Sequence, residues 1–143
     1  MAGHETETKI ASAEVFAEYE KVQRAEMLSH LMAVHLASNF MSPNGYFLQA
    51  SSKDSLDDPS RMPVQAMAKR ATMQSCLNLA HIQSKPEIIY VNTAVNVLVL
   101  ERLLTDKNKK KYPSKNYMEW TPLEGAANLI KMWAFGEHRP ENG

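Results

Sequence analysis

Two serines and a lysine are the residues of this chain best placed to do chemistry. Ser51 and Ser52 close a short apolar run, and Lys69 follows Ser52 by seventeen positions, one turn into a segment with helical periodicity. A hydroxyl can orient a polarised substrate oxygen or nitrogen, and an ammonium can lower the pKa of a neighbouring acid. Between them, at Gln65, an amide occupies the place where such an arrangement would transfer a proton. An amide has no ionisation near neutral pH, so it cannot serve as a general acid.

The other reactive side chains form no comparable set. His30 and His35 lie five positions apart on one helical segment. At about 100° per residue they point about 140° apart, which excludes chelation of one metal from one helix face and makes them core or interface histidines. No GxSxG surrounds the serines and no acid is placed to orient a histidine, so a hydrolase reading fails. Cys76 is the sole cysteine, which excludes an internal disulfide and a CxxC metal site and reads as a buried thiol. Asp106–Lys115 is a basic run with only Tyr112 interleaved, read as a solvated loop.

The bulk composition fits one globular domain. The chain has 143 residues, 44% of them hydrophobic and 22% charged, enough for a packed core. Sixteen basic and sixteen acidic residues cancel, so no net field recruits nucleic acid or an anionic membrane. No apolar run reaches the roughly 18 residues of a membrane span. The opening MAGHETETK resembles neither a signal peptide nor an Arg-rich transit peptide, and residues 1–11 are expected to be a flexible tail before a single domain over 12–143.

The elements that must position Ser52, Gln65 and Lys69 follow from periodicity. Ser12 to about Met41 reads as one long helix with Ser12 as N-cap and Glu14 in its first turn. Its second half is apolar around more than one face, which implies burial on two sides. Ser42-Pro43-Asn44-Gly45 ends it, and residues 46–50 form a short buried parallel strand. A charged loop over 53–61 leads to a helix opened by Pro63, with Val64, Met67, Ala68, Ala71, Ser75 and Leu79 along one side. Ser84-Lys85-Pro86 breaks that helix, and the β-branched run 87–99 reads as a second strand. A last helix opens with Thr121 as N-cap and Pro122 at its first position, and Gly136 ends it. The order helix-strand-helix-strand-helix is an α/β alternation with two strands, which looks like half of a domain.

These pieces resemble the short-chain dehydrogenases, and within them the C-terminal half of quinonoid dihydropteridine reductase. The resemblance rests on LSHLMAVHL (28–36), NGYFLQASSKDSLD (44–57), AMAKRA (66–71), WTPLE (120–124) and the closing GEHRPENG (136–143). It implies a partial Rossmann-like fold without the N-terminal dinucleotide-binding half. It places Ser52 at the family's serine, Gln65 at its tyrosine and Lys69 at its lysine. The proton-carrying tyrosine is therefore replaced. No GxGxxG can be drawn through the five glycines, Asn92-Thr93-Ala94-Val95-Asn96 lacks the pattern of a proline and a threonine that the family places near the nicotinamide, and the family continues past the RPxxG tail with one more strand.

Four losses together imply a vestigial site, Ser52, Gln65 and Lys69, with no catalytic residue, no cofactor and no metal. The resemblance then implies a non-catalytic accessory subunit whose partners are other protein subunits. These would form a large hetero-oligomer, such as a mitochondrial respiratory-chain or ATP synthase complex, or a homologous dehydrogenase-like chain. The setting would be mitochondrial, otherwise cytoplasmic. In that family the two long helices build a four-helix dimer interface, which makes Tyr19, Leu28, Leu31, Met32, His35, Met67, Ala71 and Leu79 interface candidates. Two alternatives stay open: an NAD(P)H-dependent reductase completed by another chain, and a small binding module for a pterin or for a partner of Lys107–Lys111.

Overall fold

The computed structural model describes residues 8–57, 62–82 and 93–143. The expected breaker Ser84-Lys85-Pro86, the first part of the expected second strand, Pro59 of the charged loop and most of the expected tail lie outside the described residues.

The long N-terminal helix forms, but in three windings. Helix α1 spans Val15–Val22, a π-helical stretch spans Gln23–Leu28, and α2 spans Ser29–Phe40. It starts two residues later than expected, with Glu14 rather than Ser12 at the N-cap. The Ser12 hydroxyl accepts from the Glu14 N–H at 3.3 Å, as a cap would, but the turn it closes lies ahead of the helix, whose N-cap Glu14 makes no side-chain cap bond. The buried stripe is Val22, Glu26, His30 and Ala37. The opposite side carries Leu28, Leu31, Met32, Leu36 and Phe40, all exposed. The wide apolar face is thus buried on one side only in this chain.

Gly45 lets the chain reverse after α2. A Cβ there would lie 2.4 Å from the Met41 Cγ and 2.9 Å from the Ser42 carbonyl oxygen, so no larger residue fits. Strand β1 follows as Tyr46–Ser52, long enough to take in both serines. The expected charged loop begins with a single helical turn, α3, Asp54–Asp57. Helix α4 spans Pro63–Ile82, with Pro63 at its first position as expected. Its buried side is Val64, Ala68, Thr72, Cys76 and Leu79, whereas Met67 and Ala71 face outward. The predicted single stripe therefore divides between two faces, and Leu79 belongs to the core.

Strand β2 is Ala94–Leu100, and it pairs parallel with β1 in unbroken register from Tyr46–Ala94 to Ser52–Leu100. The β1–α4–β2 connection is a βαβ unit, the only short way to join parallel neighbours. The main core joins Ala37, Phe47, Cys76, Leu79, Ala80 and Val95 between α2, α4 and one sheet face. A second cluster, Val22, Val64 and Ala68, fixes α1 to the start of α4.

The C-terminal third carries two further corrections. The basic run is not all loop: Asp106–Lys111 forms helix α5, capped by Thr105, whose Oγ1 accepts from the Asn108 N–H at 3.1 Å. Asp106 in its first turn and three lysines in its last complement the helix dipole. Thr121 does not cap the last helix. Its backbone bridges Arg102 and Leu104 and its hydroxyl donates to the Glu101 carbonyl, so α6 starts one residue later, as Leu123–Ala134.

After α6 the tail returns to the sheet. The Gly143 N–H donates to the Val95 carbonyl at 3.0 Å, and the Val97 N–H donates to Gly143 at 3.4 Å. Asn142 Oδ1 accepts from the Val95 N–H, and Asn96 Nδ2 donates to the Glu141 carbonyl. Gly143 is thus laid parallel against the edge of β2 that faces away from β1. The segment expected near a nicotinamide, Asn92–Asn96, falls partly outside the described residues and partly inside β2. The loop that follows the strand is 101–105, which has Thr105 but no proline.

Candidate functional site

The fold brings the three motif positions together. Ser52 ends β1 opposite Leu100, while Gln65 and Lys69 sit on successive turns at the start of α4. All three line a cleft of about 500 Å³ at the C-terminal ends of the strands, with Arg102, Thr105 and Lys107 on its far wall. Ligands of open α/β sheets bind at this end.

Lys69, Arg102 and Lys53, in and beside the cleft, each have an acidic partner. Lys69 Nζ lies 2.8 Å from Glu26 Oε2, and the side chains are only 18% and 7% exposed. Arg102 pairs with Asp54 and stacks 4.1 Å from the centre of the Tyr112 ring. Lys53 pairs with Glu101, whose hydrogen bond and charge hold the ammonium above its usual pKa. The Gln65 Oε1, the second Glu26 oxygen and the Ser51 hydroxyl are buried without a partner among the described residues. The Ser52 carbonyl accepts from the Ser55 hydroxyl at 2.7 Å.

Among the described residues no phenol lines this cleft, and its one carboxyl group beside Ser52 and Gln65, Asp54, is paired with Arg102. Gln65 holds an amide, and Lys69 is engaged behind it. Tyr46 cannot substitute, because it begins β1 and Ser52 ends it, about 20 Å along the strand. Burial raises the Tyr46 phenol, opposed by the Arg139 guanidinium 4.6 Å from its ring. Burial pushes the Cys76 thiol up to about 11, which makes it an inert core group.

The histidines separate as their spacing requires. His30 is buried, with Nδ1 2.9 Å from Gln49 Oε1 and Nε2 3.0 Å from Ser75 Oγ. Since Gln49 Nε2 donates to the Ala50 carbonyl, its Oε1 is the atom that accepts from His30. His35 is exposed on α2. Among the described residues no group of three His, Cys, Asp or Glu is arranged to hold a metal, and no helix is long and apolar enough to cross a membrane.

Of the interface candidates, Tyr19, Leu28, Leu31, Met32, His35, Met67 and Ala71 are exposed, and Leu79 is in the core. Sequence reasoning missed Glu26 and Arg102. Glu26 could have been found, since it is the one acid on the stripe Val22, Glu26, His30 at intervals of four.

Comparison with known proteins agrees on the fold. No family model matches the sequence. A short-chain dehydrogenase from Burkholderia cenocepacia, solved with NADP, superposes over 99% of this chain with a TM-score of 0.78 at 15% identity. A 4-hydroxyisoleucine dehydrogenase solved with NADH covers 92% of the chain with a TM-score of 0.66, also at 15% identity. This chain spans 58% and 57% of the length of those two structures. The architecture is therefore that of about half a Rossmann-like short-chain dehydrogenase.

Proposed function

We propose that this chain is a non-catalytic structural or accessory subunit built on part of a short-chain dehydrogenase fold resembling quinonoid dihydropteridine reductase. The observation that carries the reading is the Lys69–Glu26 ion pair beside Gln65. Where the resemblance implies a lysine acting on a tyrosine and a cofactor, this lysine neutralises a buried carboxylate and its neighbour is an amide. These residues do not fit a nicotinamide dinucleotide: the ammonium is taken, and no glycine-rich turn is present in the sequence.

A docking role is supported by what the fold leaves uncovered. Leu31 is 63% exposed and Phe40 77%, on a helix whose outer side also carries Leu28, Met32 and Leu36. A contiguous apolar strip of this kind marks a contact surface. The assembly we favour is a large hetero-oligomer, with the mitochondrial respiratory-chain and ATP synthase complexes as the setting.

The test is the native mass of the protein from its source cells, with identification of what co-migrates. A stoichiometric particle far larger than one chain supports the subunit reading. A free monomer or homodimer overturns it. A second reading, a reductase completed by another chain, is favoured by the cleft retained at the strand ends. It requires NADH or NADPH to bind the isolated particle, measurable by calorimetry.

A further inference from the structure

The zero net charge of the chain hides an uneven distribution. Residues 105–120 hold five lysines, Lys107, Lys109, Lys110, Lys111 and Lys115, against two acids, Asp106 and Glu119. This segment is net +3, so the remainder of the chain is net −3. The nearest carboxylates outside the segment are engaged: Asp54 pairs with Arg102, and Glu101 pairs with Lys53. Lys107, Lys109, Lys110 and Lys115 have no ion pair among the described residues.

The fold gathers these charges on a fixed surface. Lys107, Lys110 and Lys111 are exposed, and their spacing of three and four positions puts them on one face of α5. Lys115 is exposed in the turn that follows. The Tyr117 hydroxyl lies 3.3 Å from the Lys109 carbonyl oxygen and 3.2 Å from that of Tyr112. Its ring meets the Trp120 ring at 4.8 Å between centres. These contacts hold the 3₁₀ turn Tyr117–Glu119 against the end of α5. Met118, in the middle of that turn and three positions after Lys115, is 92% exposed.

The surroundings of the lysines select what they can meet. Single-stranded nucleic acid needs exposed rings on which bases stack. Here Tyr112 and Tyr117 pack edge to face with Trp120, Arg102 covers Tyr112, and Trp120 is buried. Lysine is depleted from protein–protein interfaces, where fixing its long side chain costs conformational entropy. An anionic bilayer attracts ammonium groups without fixing their rotamers, and it takes up an apolar side chain beside them.

We infer that Lys107, Lys110, Lys111 and Lys115, with Met118, form a docking surface for a membrane rich in anionic phospholipid. The lysines supply the attraction, and Met118 enters the interface. The contact is peripheral, since no helix among the described residues is long and apolar enough to cross a membrane. This inference goes beyond the subunit reading and does not depend on it.

The experiment is co-sedimentation of the full chain, purified in its native particle, with vesicles of phosphatidylcholine alone or mixed with phosphatidylserine. The expected result is binding to the mixed vesicles only, lost in about 1 M salt, where the screening length falls to about 3 Å. Each lysine near such a surface changes binding about fivefold, so Lys107→Gln/Lys110→Gln/Lys115→Gln should weaken it about a hundredfold. Met118→Asn should weaken it severalfold while leaving binding to soluble polyuridylate unchanged. If the triple variant does not fold, acetylation of the parent decides instead: Lys107, Lys110 and Lys115 should lose reactivity when the mixed vesicles are added, and unchanged reactivity overturns the inference. No binding to the mixed vesicles, or binding indifferent to the triple substitution, also overturns it. Indifference to Met118→Asn, or tighter binding to polyuridylate than to vesicles, makes the patch a general polyanion site and overturns the membrane assignment. The native mass is measured separately, so each of these failures leaves the subunit reading where it stands.

Discussion

Lys69 Nζ and Glu26 Oε2 meet at 2.8 Å across the contact between α4 and the π-helical stretch of the first helix. Both side chains are largely buried, and the second Glu26 oxygen has no partner among the described residues. A pair in that setting is held by mutual neutralisation, and neither member is free for another role. Removing one partner strands a buried charge.

Lys69→Met should therefore lower stability by about 3–5 kcal/mol, and Glu26→Leu by a similar amount. The double variant Glu26→Leu/Lys69→Met should recover most of the loss, because it leaves no unpaired ion. Urea unfolding of the four proteins measures the coupling. Additive losses in the double variant would show that the two residues act independently.

The core and the outer face should separate cleanly under truncation. Leu79 is 7% exposed between α4 and the sheet, so Leu79→Ala should cost about 2–5 kcal/mol. Leu31 is 63% exposed, so Leu31→Ala should change the isolated chain by no more than about 0.5 kcal/mol. In the native particle the order of importance reverses if the α2 face is a contact. Comparing denaturant midpoints with the yield of intact particle tests both halves.

Cys76 is fully buried, and its thiol is pushed from 9.0 up to about 11. The unfolded chain releases this proton near its usual value while the folded chain keeps it, so between pH 9 and 11 the folded state binds more protons. Stability is then fully present below pH 9 and falls as the pH rises toward 11, by roughly 2–3 kcal/mol from this group. Cys76→Ala should lose this slope, read as the difference between the two proteins' urea midpoints from pH 8 to 11. Labelling of the native thiol by a disulfide reagent should likewise track unfolding.

The α/β order was legible because it rests on period and on strong breakers, whereas the grouping of Ser52, Gln65 and Lys69 came from the family resemblance. Pro43, Asn44, Gly45 and Pro63 mark turns whatever surrounds them. What failed depends on competition between partners. Ser12 and Thr121 have the right type for caps, yet the Ser12 hydroxyl closes a turn ahead of the helix and the Thr121 hydroxyl donates to the Glu101 carbonyl. The α5 turn was hidden because its stability comes from Thr105 and the dipole rather than from an apolar face. Glu26 was passed over because an acid within an apolar helix looks like surface until the lysine that neutralises it, forty-three positions later, is brought beside it. Such a long-range pairing has no periodic signature.

Restoring the phenol alone should not restore chemistry. Gln65→Tyr would place a hydroxyl between Ser52 and Lys69 on the wall of the cleft. The ammonium it would need remains 2.8 Å from the Glu26 carboxylate, whose negative charge opposes ionisation of a nearby phenol. The single variant should therefore show no oxidation of NADH or NADPH above background with quinonoid pterin or carbonyl substrates, followed by absorbance at the reduced nicotinamide band. Gln65→Tyr combined with Glu26→Gln frees the lysine and is the stricter test. Turnover in the double variant but not in the single one would identify the Glu26–Lys69 pair as what disables the site. Turnover in Gln65→Tyr alone would mean that the ion pair is no barrier, and the non-catalytic reading would then rest on the amide at Gln65 only.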